Sequence, residues 1–395
     1  MPTQGSRIGI HWLRCQLEQS PKGSLVFGLF DLFGKKNSKV IGVELSPEKI
    51  VVTQVKRQGQ TSRLTHFAEA PMPEGAMLEG RINEPAAVGE ILAKLITEHK
   101  IPAGSVVATA IPGRDAIVRL IRVKADLSEE ELRRTVIEEE APLYIPYTRD
   151  QADIDYQPLG LELSQDNSER LEVLLVATPK ELVDNYIETI KLANLSVRCV
   201  ELNSFSVIRT IKDQLAQFSS QEAVVLAMIG YESTEINMIV NGIPHFSRTV
   251  TIGTTHMQQL LGQALNMPPS RAKELLGSIK LPIISPTESL ATGERVSTNP
   301  GVAAVTRVMA DLADELRRSM DFYVNQPGSV PIARVILAGT GAGIGHADGY
   351  LSNRLGISVD LADPFASVSL PDTLDIALNQ RPAMGVAVGL GLREL

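Results

Sequence analysis

The sequence predicts an α/β protein in which one structural unit is built twice. Two stretches read as copies of a β-hairpin: residues 40–52, beginning Val40-Ile41-Gly42-Val43-Glu44-Leu45-Ser46-Pro47, and residues 224–238, containing Met228-Ile229-Gly230-Tyr231-Glu232-Ser233-Thr234. Each runs apolar β segment, small polar turn, second β segment, which is the hairpin pattern. Strand and helix patterns alternate after both copies, and a Gly-rich turn, Gly339-Thr340-Gly341-Ala342-Gly343, follows a late apolar strand. Two hairpins and a late glycine loop suggest paired lobes closing on a phosphate-bearing ligand.

The elements follow in order. Residues 38–70 alternate apolar and polar and predict three strands; a proline-rich join at 71–85 leads to a helix over 86–99. Strands at 106–110 and 116–123 flank the turn Ile111-Pro112-Gly113-Arg114. Ser128 and Glu131 form a capping box for a helix whose stripe is Leu132, Val136 and Ile137 and which stops before Pro142. Its carboxylates Glu138, Glu139 and Glu140 read as a solvated face. A strand at 171–177, a helix at 180–193, a strand at 196–201 and a helix at 204–218 complete the first half. Beyond the second hairpin come a strand at 244–252, helices at 254–265 and 270–276, and a surface loop over 280–300. A long helix over 302–325 carries Val305, Val308, Leu312, Leu316, Met320 and Tyr323 at core spacing and ends at Pro327-Gly328. The glycine-rich strand, a helix at 345–355, a strand at 358–362 and a small-residue helix at 383–392 close the chain.

With 395 residues the chain is long enough for two or more packed domains. It is 44% apolar and carries a net charge of −8 with its basic residues scattered, which argues against a nucleic-acid surface. Cys15 and Cys199 cannot form a disulfide framework or a metal cluster, and the histidines lack metal spacing, so no metal ligand set is expected and the compartment reads as cytoplasmic. No run of about 18 apolar residues exists to span a membrane. Residues 1–24 are unpatterned, and an aromatic stretch at 25–34 precedes Lys35 and Lys36. That segment suits either a membrane interface or docking on its own fold, and translation is expected to begin near Leu25 or Val26.

A tight turn after a strand offers backbone N–H groups to an anion, and small residues let a phosphate approach. Gly230, Ser233 and Thr234 suit that role in the second hairpin. Ser46 occupies the equivalent turn of the first, where Pro47 has no N–H to donate and makes a poorer cradle. Gly339, Thr340, Gly341 and Gly343 form a loop expected to open a helix, with free donors and room for a base or phosphate.

These residues resemble the PilM family of type IV pilus assembly proteins, relatives of FtsA and the actin-like ATPases, whose two phosphate loops and adenosine loop fall in this order. The resemblance is carried by Ala110-Ile111-Pro112-Gly113, by Tyr144-Ile145-Pro146-Tyr147, by Ile229-Gly230-Tyr231-Glu232-Ser233-Thr234, by residues 316–323 and by Leu337-Ala338-Gly339-Thr340-Gly341. It covers roughly residues 27–395 and implies an actin-like bilobed α/β fold with duplicated hairpin-containing sheets and an inserted 1C-type subdomain. The implied division is an N-terminal extension at 1–37, subdomain 1A at 38–84 with 196–220, 1C at 85–195, 2A at 221–253 with 301–395, and 2B at 254–300. The family binds ATP between its lobes and docks the cytoplasmic N-terminal tail of PilN, joining PilN and PilO to the pilus motor ATPases. The resemblance thus implies a cytoplasmic adaptor, peripheral to the inner membrane through its partners, with Tyr144, Ile145 and Pro146 as the partner-binding turn.

The departures from the family pattern bear on chemistry. The first loop usually reads Asp-Ile-Gly and here reads Glu44-Leu45-Ser46; the basic residue of the next strand is replaced by Val51, with Lys49 two positions earlier. The second loop has Met228-Ile229-Gly230, and a thioether is a poor ligand for hard Mg²⁺. The family's Ala-Glu-x-x-Lys helix becomes Ser270-Arg271-Ala272-Lys273, which keeps Lys273. ATP with Mg²⁺ is therefore the implied cofactor, with weak or absent hydrolysis and Glu44 as the residue for residual turnover. Two other readings compete. An FtsA-type division protein would need a C-terminal amphipathic anchor beyond Leu395, and a kinase of the same superfamily would need the carboxylate that Met228 replaces.

Overall fold

Both hairpins form, and each sits at the centre of its own sheet. The computed structural model describes residues 40–58, 61–163, 168–283, 299–372 and 374–393. The 1–37 extension with its aromatic stretch, and positions 284–298 of the expected surface loop, lie outside the described residues. The chain divides into two compact units, residues 1–202 with 390–395, and residues 203–389.

In the first unit, β1 (Ile41–Leu45), β2 (Lys49–Gln58) and β3 (Thr61–Pro71) form the expected antiparallel meander. The two-residue strands β4 (Met77–Leu78) and β5 (Arg81–Ile82) follow, then α1 (Pro85–Glu98) and β6 (Val106–Ile111), which pairs parallel to β1. After β7 (Ile117–Lys124) comes α2 (Glu129–Arg134), capped as its sequence dictates: the Ser128 hydroxyl accepts from the Glu131 N–H at 3.3 Å and the Glu131 carboxylate accepts from the Ser128 N–H at 2.9 Å. The helix then widens into a π turn, Thr135–Glu140, where the Ala141 N–H reaches the Val136 carbonyl. Pro142 explains the widening, because its ring crowds the carbonyl four residues back and its nitrogen donates nothing. Glu138 and Glu139 on that turn are exposed, as a solvated face should be.

Next come β8 (Ala152–Leu163), β9 (Glu169–Pro179), α3 (Lys180–Leu192) and β10 (Ser196–Leu202). Strands β7, β9 and β8 make a small antiparallel sheet, whereas β10 joins β6 at one edge of the larger sheet, which runs β10-β6-β1-β2-β3 from that edge. The Tyr186 hydroxyl on α3 donates to the Gly80 carbonyl at 3.0 Å, and Gly89 lets α1 approach α3 at Leu192 and Thr189.

The second unit opens with α4 (Asn203–Thr210) and α5 (Lys212–Leu215), two helices where the sequence suggested one. It repeats the plan of the first: β11 (Ala223–Ile229), β12 (Thr234–Val240) and β13 (Ile243–Val250) form the meander, β14 (Ile332–Ala338) pairs parallel to β11, and β15 (Val359–Leu361) lies outside it. The order β13-β12-β11-β14-β15 repeats the run β3-β2-β1-β6-β10 of the first sheet. The long helix α8 (Pro300–Val324) lays Val305, Val308, Leu312 and Leu316 against one face of this sheet, together with α6 (Thr254–Leu265), α7 (Pro269–Leu276) and α9 (Ala347–Leu355). The chain then forms α10 (Gly385–Gly391).

Candidate functional site

Of the three predicted loops, one lies in the first unit and two in the second. In the first unit, the β1–β2 turn is tied shut by its own residues. The Ser46 N–H donates to the Lys49 carbonyl at 3.0 Å, its hydroxyl donates to the same carbonyl at 2.8 Å, and it accepts from the Lys49 N–H at 3.2 Å. The Lys49 ammonium lies 2.9 Å from Glu69 on β3. The hydroxyl and ammonium that the sequence offered to a phosphate are thus engaged within the meander. Glu44, one residue before the end of β1, is partly exposed and stands opposite Val51.

In the second unit the predicted residues do converge. Loops at the carboxyl ends of adjacent parallel strands are where α/β sheets bind ligands, and here β11 and β14 end side by side. The turn after β11 is closed by the Gly230 N–H donating to the Ser233 carbonyl at 2.9 Å. It rests on the start of α6: the Thr254 and Thr255 N–H groups reach the carbonyls of Gly230 and Tyr231 at 3.0 and 2.9 Å. Thr234 is turned inward, its hydroxyl donating to the Ile252 carbonyl at 2.7 Å. Gly253 allows this close packing, because a Cβ there would lie 2.4 Å from the Tyr231 carbonyl oxygen.

The glycine loop completes the cradle. Gly339 adopts φ +83°, a left-handed conformation that favours glycine, and a Cβ on it would meet the Ile229 carbonyl oxygen at 2.4 Å. A Cβ on Gly341 would run into the Ile229 side chain at 2.2 Å. The loop itself makes a short 3₁₀ turn, Thr340–Gly343, rather than opening a helix directly. Helix α9 begins only at Ala347, after His346 takes the left-handed conformation at φ 64°.

Two hydroxyls in this cradle, Thr254 Oγ1 and Thr340 Oγ1, are buried without a hydrogen-bond partner. A buried polar atom in that state is costly, and a polar ligand at the loops would satisfy it. The cradle therefore fits a phosphate or nucleoside. A magnesium ion fits less well at the loop's own acid position, because Met228 supplies only sulfur there. Lys273 lies on the exposed side of α7, beside Arg271, which pairs with Glu274 at 2.9 Å. Sequence reasoning missed Gly253 and Thr254; the signal was a glycine directly before a helix that follows a strand.

The Tyr144–Pro146 turn divides its work. Ile145 is buried among Ala152, Ala177, Ile117, Tyr147 and Ile154, so it anchors the turn rather than facing a partner. The Tyr147 hydroxyl pins the turn from the other side by donating to the Asp115 carbonyl at 2.8 Å. Tyr144 and Pro146 are exposed, and Leu143, which the sequence reading passed over, is 72% exposed on the same turn. Leu143 and Tyr144 thus present adjacent exposed apolar surface on a pinned turn.

The family model for type IV pilus assembly protein PilM matches residues 42–292 and 295–395. The chain belongs to the PilM family. Among solved structures, a chain from a PilM–PilN type IV pilus biogenesis complex superimposes with a TM-score of 0.74 at 22% identity, covering 91% of this chain and 99% of that one. The ethanolamine utilization protein EutJ from Carboxydothermus hydrogenoformans matches at TM-score 0.51 and 14% identity, over 89% of this chain and 88% of its own. MreB 5 of Spiroplasma citri bound to AMPPNP matches at TM-score 0.50 and 11% identity, over 90% and 95%. The PilM-family chain thus has the actin-like α/β fold that the resemblance implied, in line with the strand order its two sheets share. No described helix is long and apolar enough to cross a membrane.

Proposed function

We propose that this PilM-family chain is an adaptor of the type IV pilus inner-membrane platform, one that docks the cytoplasmic tail of a PilN-type protein and holds a nucleotide with little turnover. The observation that carries the docking reading is the pinned turn: Leu143 and Tyr144 present apolar surface on a scaffold fixed by Ile145 and Tyr147. The fold of a chain seen in a PilM–PilN complex supports it. In this reading residues 85–195 act as the 1C-type subdomain, and partners hold the chain at the cytoplasmic face of the membrane. PilO and the motor ATPases are reached through PilN.

Nucleotide binding is supported by the cradle of Gly230, Gly253, Gly339 and Gly341 and its two orphaned hydroxyls. In this reading ATP supplies the phosphates, and Ser233, Thr254 and Thr340 are the side chains that meet it. Turnover is weak because the second loop lacks its carboxylate, leaving Glu44 as the acid of the first loop. Size-exclusion chromatography of the full chain with a PilN cytoplasmic tail fused to a carrier protein tests the adaptor reading. Co-elution is expected; separate elution at concentrations of tens of micromolar, roughly 6 to 7 kcal/mol of binding free energy, would sink it.

A further inference from the structure

The second sheet carries a carboxylate where the sequence pattern did not look for one. Along β11, residues Ala223, Val225, Ala227 and Ile229 face the core built with α6 and α8, so Leu226 and Met228 face the other way. Along β12, Ile236 and Met238 face that core, which turns Glu235 and Asn237 to the face of Met228. The register sets Met228 opposite Glu235 and Glu235 opposite Thr249, so these three form one row across three strands. This row lies just beneath the turn of Gly230 to Ser233, because the hairpin closes one pair later at Ile229 and Thr234. Leu226, Asn237 and Ser247 form the next row.

The matched sheets make the exchange visible. In the first unit the equivalent cross-strand pair is Glu44 with Val51, an acid on the first strand and an apolar residue on the second. In the second unit the pair is Met228 with Glu235, the same two characters with the strands reversed. Each hairpin thus keeps one carboxylate at this level.

A second, independent observation marks the place as one for a polar guest. Asn237 is 0% exposed, and both its side-chain Oδ1 and Nδ2 lack a hydrogen-bond partner, as does the buried Thr249 Oγ1. An amide and a hydroxyl buried in that state are costly unless something polar meets them. Glu235 itself is 6% exposed. Among the described residues no group of three or more histidines, cysteines and carboxylates could hold a metal alone. Magnesium does not ask for one: it binds through one or two carboxylates, keeps several waters and takes its remaining ligands from substrate phosphates.

We infer that Glu235 is the magnesium-binding carboxylate of the second loop, replacing the acid lost at Met228, with Asn237 and Thr249 bonding to the metal's waters. The inference rests on the nucleotide reading above and deepens it. It also fits slow turnover, because an acid displaced by one strand, about 4.8 Å, holds a metal without occupying the loop's usual acid position.

The test measures binding of a non-hydrolysable ATP analogue to the full chain, in Mg²⁺ and in EDTA. Wild type is expected to bind roughly tenfold or more tightly with Mg²⁺, and Glu235→Gln to lower the ratio of the two affinities by a similar factor. The exchange variant Met228→Asp with Glu235→Thr is expected to restore the ratio, which separates a lost ligand from a damaged fold. With Mn²⁺ as the probe, analogue-dependent loss of the free-ion paramagnetic resonance signal should be present in wild type and absent in Glu235→Gln. A full magnesium gain in Glu235→Gln, or analogue binding by wild type that ignores Mg²⁺, overturns this inference and leaves nucleotide binding standing. No binding in either condition overturns both.

Discussion

The Arg393 guanidinium donates to the Glu201 carboxylate, and the two residues are 3% and 0% exposed. The pair joins the end of the described chain to β10, the outer strand of the first sheet. Nearby, the C-terminal segment meets the hairpin as well: a Cβ on Gly42 would lie 2.6 Å from the Gly391 nitrogen and 2.7 Å from the Thr53 hydroxyl. Removing one partner of a buried ion pair strands the other in a medium that solvates it poorly. Arg393→Met should therefore destabilise the first unit by about 3–5 kcal/mol, and Arg393→Met with Glu201→Leu should recover most of the loss. Hydrogen exchange of the β10 amides measures both; protection unchanged in the single variant would refute the expectation.

Gly339 tests the cradle. Alanine there is strained by the positive φ and meets the Ile229 carbonyl at 2.4 Å, so Gly339→Ala should cost more than about 1 kcal/mol. Thermal unfolding reads the loss, and ATP-analogue binding should weaken with it.

The turn proposed for docking separates stability from recognition. Ile145→Ala should cost about 2–5 kcal/mol, because it empties a site packed by Ala152 and Ala177. Leu143→Ala should change stability by less than about 0.5 kcal/mol, since the side chain faces solvent. Denaturant titration distinguishes the two.

Asp153 on β8 gives a pH dependence. Burial, then the nearby Asp184 charge, raise its pKa above the ordinary carboxylate value, against weaker pulls from Lys180 and Arg149. A carboxyl whose folded pKa is raised binds its proton more tightly folded than unfolded. It costs the fold nothing below both pKa values, and its penalty grows as pH rises through the unfolded and then the folded value. Asp153→Asn should accordingly raise the melting temperature at neutral pH, with the gain vanishing in acid below the carboxylate range. An equal gain at both pH values would show another cause.

Much of the architecture was legible because it is periodic. The long core stripe of α8, the Ser128 cap and both hairpins are local patterns, and the structure reproduces them. Strand β8 escaped because Pro158 and Gly160 interrupt its alternation; its register shifts between those residues, and it pairs only with β9, on the edge of its sheet. The single helix expected over 204–218 breaks at Ile211, where φ −99° and ψ 15° leave the helical region. At the site, the turns were visible and the side-chain commitments were not. Nothing in the sequence shows that Ser46 spends its hydroxyl on Lys49, or that Ile145 points inward between two exposed neighbours. Glu235 needed strand register, since its relation to Met228 crosses the hairpin.

The central claim, that this member of the PilM family works by holding a partner peptide on the turn at 143–146, is tested most directly by calorimetry. The full chain is titrated with a peptide of the PilN cytoplasmic tail, wild type beside Leu143→Ala with Tyr144→Ala. The expected result is saturable binding by wild type and affinity at least roughly tenfold, or about 1.4 kcal/mol, weaker in the variant at an unchanged melting temperature. Equal affinity in both proteins would contradict the claim.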